Sequence, residues 1–548
     1  MEWNKDIMAD SAKDTQNGPS RYAGFFLFAF LFCLYALTMR GIPTGGDALA
    51  MFLVTHSLVE DGDTFLDGED RVVLVPGRDG REVSKFGVAQ SLAEIPGYHL
   101  GRAAAAGNNT AEDSYIIYFV TAFTSPLLGA LACLFVYLAS LRLGYSGRVS
   151  FGVALLAGTC TLLWPHSRLL FSEALQAMAL AAAVWCGLEV REKGGAPTAL
   201  AAGFFPGLVI AAKPALVFVC IPFIVYFLYG LKSDAVKRKA LNAAMFFAGL
   251  GFWALVVLGY NYIRFGNIFE MGYMTIQDRE TLHGFGVPLL HGLHGLLFST
   301  GKGLLFYTPA VILSCAALPS FMKRRRAEAW LILAVFIVFI LSFAKWNQWH
   351  GDYTWGPRFL VPVVPLLMLP AGEIFAPEGL FRKLWLKPVL VLIIAASFFV
   401  QILGAFVNYN EYLIVAKHQV PFDITMDVTD PGRIDLRDNM INPHYIPEFS
   451  PLMGHWWILK HTMKNRHLAK EKLNEEMRKD FPWQGLMPYA APPDPARAVM
   501  FDCWWFYYNR YFPESAGWIN KLSMSILFMG ILCGILGVYT GIKGKHGE

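Results

Sequence analysis

TALAAGFFPGLVIAAKPALVFVCIPFIVYFLYG, residues 198–230, is an apolar stretch whose only charged residue is Lys213, followed at once by Pro214. As one helix it would run about 50 Å, against a bilayer hydrocarbon core of about 30 Å. It therefore reads as two short membrane helices, 198–212 and 214–230, turning at Lys213-Pro214. Residues 149–190 divide in the same way at Trp164-Pro165-His166-Ser167-Arg168, into runs 149–165 and 173–190. Further apolar runs lie at 22–39, 115–140, 240–260, 304–321, 327–344, 359–376, 388–407 and 518–541. The count is twelve.

Composition agrees with these runs. The 548 residues are 55% hydrophobic and 16% charged, where a soluble domain carries about 25% charged residues. The fifteen Trp and 43 Phe suit spans with aromatic belts at the interfaces. The fold class expected is an all-α polytopic membrane protein. Residues 1–21 form a polar tail, and the run from Tyr22 to Thr38 has no small-residue cleavage site after it, so it reads as an uncleaved signal anchor. Seven of the eight Cys lie inside apolar runs and only Cys503 lies in a long polar segment. No disulfide framework and no Cys/His metal spacing is expected.

Charge orients the chain. Arg142 and Arg148; Arg191 and Lys193; Lys232, Lys237, Arg238 and Lys239; Lys323 to Arg326; Arg382, Lys383 and Lys387; and Lys543 and Lys545 occupy alternate loops. All fall on the cytoplasmic side if the N-terminus is inside and both splits are kept. The loop 41–114 and the segment 408–517 then lie outside, in the periplasm or beyond the cytoplasmic membrane. Within 408–517 the stretch Ala469 to Lys479 reads as helical and the rest as irregular. The net charge of +4 is small. Membrane lipids are expected partners and nucleic acid is not; the chain carries no signal for an oligomeric state.

With this topology the polar residues at helix ends share the outer face. They are Asp47, His56 and Lys85 in the first loop, His166, Arg168 and Glu173 between the third and fourth runs, and Lys213. Asn261, Arg264 and Glu270, then Lys302, then His350, Asp352 and Arg358 complete the set. Clustered Lys and Arg at a membrane face suit a phosphate or diphosphate head group, with Arg offering paired donors and Lys a point charge. A carboxylate beside them can take a proton from an attacking hydroxyl. Each residue also has a plainer role. Arg358 and Lys302 could snorkel to the interface, Asp47 could cap the helix that follows it from Ala48 to Val59, and the Trp-rich loop 346–355 could be an aromatic belt. His166, His350 and Asp352 have ligand chemistry without a ligand spacing, so a divalent metal stays open and no other cofactor is indicated.

In their order along 22–410 these patterns resemble the GT-C superfamily of membrane glycosyltransferases, specifically bacterial relatives of glycosyltransferase family 39, the protein mannosyltransferase and aminoarabinose transferase type. The matching stretches are Gly46-Asp47-Ala48, Ser84-Lys85-Phe86-Gly87, Trp164-Pro165-His166-Ser167-Arg168 with Glu173, Asn261-Tyr262-Ile263-Arg264, Ser299-Thr300-Gly301-Lys302-Gly303 and Trp355-Gly356-Pro357-Arg358. The resemblance implies a GT-C-like core over 22–407, with 408–517 unassigned and 518–548 a last helix and short tail. It implies an inverting transfer of sugar from a polyprenyl-phosphate donor to an envelope lipid, glycan or protein. Asp47 would be the general base. Lys85, Arg168, Lys302 and Arg358 would bind the donor phosphate, with His166, Glu173, Lys213, Asn261, Arg264, His350 and Asp352 around the substrate. The chain departs from the family at Asp47-Ala48, where Asp-Glu is common. Two other classes fit the same residues: a transporter or flippase for an anionic or lipid-linked substrate, and a non-catalytic membrane scaffold. Transporter sites lie near the bilayer midplane and often between repeats. Here the polar residues gather at one end and no repeat is visible.

Overall fold

The computed structural model describes residues 19–42, 45–105, 111–231, 236–272, 285–351, 353–417, 425–426, 434–435, 444–482 and 494–543. Among them the chain is almost wholly helical. The helices used below are α1 (Pro19–Thr38), α2 (Gly45–Glu60), α3 (Ala89–Ala104), α4 (Ala111–Ala122), α5 (Thr124–Arg142), α6 (Gly147–Thr159), α7 (Leu163–Ser167), α8 (Glu173–Lys193), α9 (Ala196–Ala212), α10 (Cys220–Gly230), α11 (Val236–Phe265), α12 (Leu289–Phe298), α13 (Val311–Arg324), α14 (Arg326–Ala344), α15 (Lys387–Phe406), α16 (Tyr409–Lys417), α17 (Pro451–Lys464), α18 (Lys470–Arg478), α19 (Trp504–Tyr511) and α20 (Ala516–Lys543). Six helical segments among the described residues are long and apolar enough to cross a membrane, and shorter apolar helices accompany them.

Helix α8 is the axis of the bundle: nearly all of it is buried, between α5 and α9. Helices α9 and α11 pack lengthwise because glycines let their backbones touch. A Cβ at Gly203 would lie 1.9 Å from the Phe246 carbonyl oxygen, and one at Gly249 would lie 2.2 Å from that of Leu200. Small residues at a crossing are the usual means of close helix approach in a membrane. Helices α1 and α20 form a second pair.

The break expected at Lys213-Pro214 is present: α9 ends at Ala212 and a 3₁₀ turn, Pro214–Val219, leads into α10. The run 304–321 is likewise interrupted, after Leu304–Tyr307. The run 359–376 is not one helix. It is a chain of short turns, Arg358–Leu360, Val364–Leu367, Leu369–Ala371 and Gly372–Phe375. Pro362, Pro365 and Pro370 each lack the backbone N–H donor that a continuous helix needs. The segment 408–517 is less irregular than its composition suggests, since it contains α16, α17 and α19 besides the expected helix, here α18. Helix α17 starts as local chemistry dictates: Ser450 Oγ accepts from Met453 N and Pro451 occupies the first turn.

The described parts of the basic loops meet at one end of the bundle. Arg142 pairs with Glu189 and Glu192, Arg191 with Glu328 and Arg324 with Glu373, and Arg325 donates to the Leu143 carbonyl. The start of α11 lies beside Gly194, and the last turn of α20 beside Phe151 of α6. The opposite end of α8, at Glu173, faces the first loop. All eight cysteines are free.

Candidate active site

Four segments distant in sequence converge at the Glu173 end. Arg358 donates from Nη2 to Asp47 Oδ2 at 2.6 Å, and its Nε lies 3.2 Å from Glu173 Oε1. Lys213 Nζ lies 3.5 Å from the same Glu173 oxygen. The Phe171 and Phe359 rings flank the Arg358 guanidinium, and Phe359 also lies under Lys213. Asp47 is in the first turn of α2, not at its cap position, and its carboxylate turns across to Arg358. Its side chain keeps 27% of its exposure while that of Glu173 keeps 2%. Of the two carboxylates, only Asp47 can meet an incoming group.

Burial alone would raise the Asp47 carboxyl, but Arg358, then Lys85 and Lys213, outweigh it and hold the group below its ordinary value. Asp47 is therefore ionised at neutral pH. The space enclosed by Asp47, Phe86, Phe171, Glu173, Lys213 and Arg358 is about 20 Å³, enough for one water.

Several residues expected around a substrate hold the loops that border the cluster. His166 Nε2 donates to the Trp355 carbonyl at 2.9 Å, and Lys302 Nζ donates to the carbonyl of Thr354. Two successive carbonyls of the loop before Arg358 are thus gripped by buried side chains. Gly351 and Gly356 in that loop have φ of +70° and +62°, a conformation that glycine takes without strain. Arg264 and Asn261 do the same for the first loop. Arg264 is 1% exposed, donates to the carbonyls of Ser84 and Phe86, and is itself held by Asn261 Oδ1 at 2.8 Å. These contacts bracket Lys85. Beside it Gly87 lies against the end of α9, where a Cβ would be 2.3 Å from the Ala211 carbonyl oxygen.

Arg168 is not part of the cluster. It is buried, donates to the Thr38 carbonyl, and pairs with Asp502 at 2.7 Å. Asp502 also meets Arg40 at 3.4 Å and accepts from the Tyr507 hydroxyl. Burial pushes the Asp502 carboxyl up, and Arg168 and Arg40 more than reverse it. This group docks 494–511 onto α1, with Trp504 Nε1 donating to the Ala36 carbonyl. The His350 and His444 rings lie with centroids 4.8 Å apart, tilted by 37°, near Trp349. His56 bonds the Tyr98 hydroxyl, and Glu270 accepts from Gly272 N. Asp352 lies outside the described residues. Among the described residues no group of His, Cys, Asp and Glu is arranged to hold a metal. The cluster does not fit a divalent ion either, since each carboxylate already lies against a cation.

Asp502 and Arg40 have no role in the sequence reading, and Gly87 enters it only within the stretch Ser84-Lys85-Phe86-Gly87. The one available signal was an acid inside an aromatic run, Phe501-Asp502-Cys503-Trp504-Trp505. The chain matches no protein-family model and no curated protein.

Proposed function

We propose that this protein is an inverting glycosyltransferase that moves a sugar from a polyprenyl-phosphate donor to an envelope lipid, glycan or protein on the outer face of the cytoplasmic membrane. One observation carries the reading. Asp47, partly exposed and ionised, shares a cluster with Arg358 and Lys213 and feels Lys85, at the end of the bundle away from the basic loops. In this reading the twelve apolar runs cross or enter the bilayer in a GT-C-like core, with the basic loops inside.

Asp47 removes the proton of the acceptor hydroxyl as its oxygen bonds to the anomeric carbon. The bond from that carbon to the phosphate oxygen breaks, and its electron pair leaves with the lipid phosphate. Negative charge grows on the phosphate, so fixed cations lower the barrier there. Arg358, Lys213 and Lys85 supply them, and a phosphate leaves without needing a second acid. Glu173 keeps Lys213 and Arg358 in register. Lys302, His166, Asn261 and Arg264 are positioning residues. Arg168 belongs to docking of the 494–511 segment and is not assigned to the donor. The donor phosphate enters by displacing the Arg358–Asp47 contact, which frees the base as it occupies the cation.

A non-catalytic scaffold is the competing reading, favoured by the mutual pairing of the cluster and its small enclosed space. Mass spectrometry of lipid-linked and envelope glycans separates the two. The strains are a deletion, the deletion carrying wild type, and the deletion carrying Asp47→Asn at equal membrane abundance. Loss of a sugar that wild type restores and Asp47→Asn does not is the expected result. Full restoration by Asp47→Asn overturns the transferase reading.

A further inference from the structure

The basic end holds a second cavity, unrelated to Asp47. It has a volume of about 440 Å³ and lies between α10 and α14, walled by Ile221, Val225 and Tyr229 on one side and Arg326, Trp330 and Ala334 on the other. That volume is within the range of about 300–1,000 Å³ typical of small-molecule sites. Its apolar walls are open to the surroundings: Val225 is 62% exposed, Tyr229 74% and Trp330 53%. Such a surface is costly in water and favourable against acyl chains. Trp and Tyr are the residues that favour the head-group level of a bilayer.

Charge at the mouth is what selects an occupant. Residues 323–326 are four consecutive cations, Lys323-Arg324-Arg325-Arg326. The middle two are used inside the protein, Arg324 on Glu373 and Arg325 on the Leu143 carbonyl. Nearby Arg191 is used on Glu328, and the Tyr226 hydroxyl donates to the same carboxylate. Arg326, the first residue of α14, lines the cavity, is exposed and has no ion-pair partner among the described residues. The only carboxylate in that first turn, Glu328, is turned inward and neutralised. An apolar slot that opens to the bilayer and ends at a guanidinium without an ion-pair partner among the described residues is complementary to a lipid with an anionic head group.

We infer that the groove between α10 and α14 binds one anionic phospholipid of the surrounding bilayer, its phosphate at Arg326 and an acyl chain between Val225 and Trp330. In the topology proposed above, this lipid belongs to the cytoplasmic leaflet, where basic pockets between helices meet anionic head groups. The lipid joins α10, and through it the Lys213 turn, to α14.

The test uses the full-length protein purified in detergent, loaded with phosphatidylglycerol or phosphatidylcholine, and read by native mass spectrometry for lipid retained after dilution. Wild type is expected to keep one phosphatidylglycerol in preference to phosphatidylcholine. Arg326→Gln should lower that retention about fivefold, the scale of one surface cation on an anionic lipid. Val225→Trp, which fills the slot from an exposed position, should abolish it with Arg326 intact. Lys193→Gln, an exposed cation at the same end, should leave retention unchanged. Equal retention of the two lipids, wild-type retention by Arg326→Gln, or an equal drop in Lys193→Gln would each overturn the site.

Discussion

At the basic end, Arg142 and Arg324 meet acids on neighbouring segments through pairs that keep exposed edges, 42% for Glu192 and 39% for Arg324, while Arg191 meets the buried Glu328. At the other end a single guanidinium, Arg358, meets both Asp47 and Glu173, and Lys213 closes on the same Glu173. The first arrangement stitches neighbours together two at a time. The second draws residues 47, 173, 213 and 358 to one point and leaves one carboxylate partly open. Stitching needs no convergence, because any exposed partner will do and each exposed pair is worth only about 0–1 kcal/mol. Convergence on a half-open carboxylate is what proton transfer beside a phosphate requires.

The contrast can be broken most directly at Asp47. Asp47→Asn should lower sugar transfer by about 100-fold or more, the contribution of a general base, while the purified protein unfolds within about 1 kcal/mol of wild type. A loss of stability with no loss of transfer would make the site another stitch. Glu173→Gln should instead act on stability. It leaves Lys213 without its carboxylate in a buried setting, and denaturant unfolding should show a loss of roughly 3 kcal/mol. Gly87→Ala should displace the first loop from α9, because the new methyl would sit on the Ala211 carbonyl. Transfer should fall several-fold, through the binding of the donor, and hydrogen exchange should rise around 84–88. The smallest effect belongs to the basic end, where Arg324→Gln should change unfolding by less than about 1 kcal/mol and leave transfer intact.

A pH profile sharpens the same comparison. Arg358, Lys85 and Lys213 favour the ionised form of Asp47 against its burial. The base stays charged as pH falls, so transfer should hold between pH 7 and pH 5, well above the ordinary Asp value of about 3.9. Arg358→Gln removes the main opposing cation and lets burial act. Protonation then begins at higher pH, and the acid limb of whatever activity remains should move upward. An unmoved limb would show that another group carries the proton.

Much of this was legible along the chain. Apolar runs announce themselves by composition, the Lys213-Pro214 break by length against a bilayer, and the gathering of basic loops at one end by their alternation. These are local properties, and a span must satisfy its own backbone wherever its neighbours lie. The site was legible as a set of residue types and not as an arrangement. Asp47, Glu173, Lys213 and Arg358 do meet, but Arg168, also read as a phosphate ligand, pairs with Asp502, about 330 residues away in the chain. Nothing near Arg168 announces that partner, since a guanidinium suits a phosphate and a carboxylate equally.

Composition and charge pattern alone establish a helical membrane protein whose basic loops alternate with the loops that carry Asp47, His166 and Lys302. Hydrophobicity and charge act on each segment alone against water and lipid. Only the tertiary structure decided which cations face Asp47, which are used on carbonyls at Thr354, Ser84 and Phe86, and that Arg326 is left over at the mouth of a groove. A long cationic side chain accepts any oxygen within reach, and packing alone sets which oxygen that is.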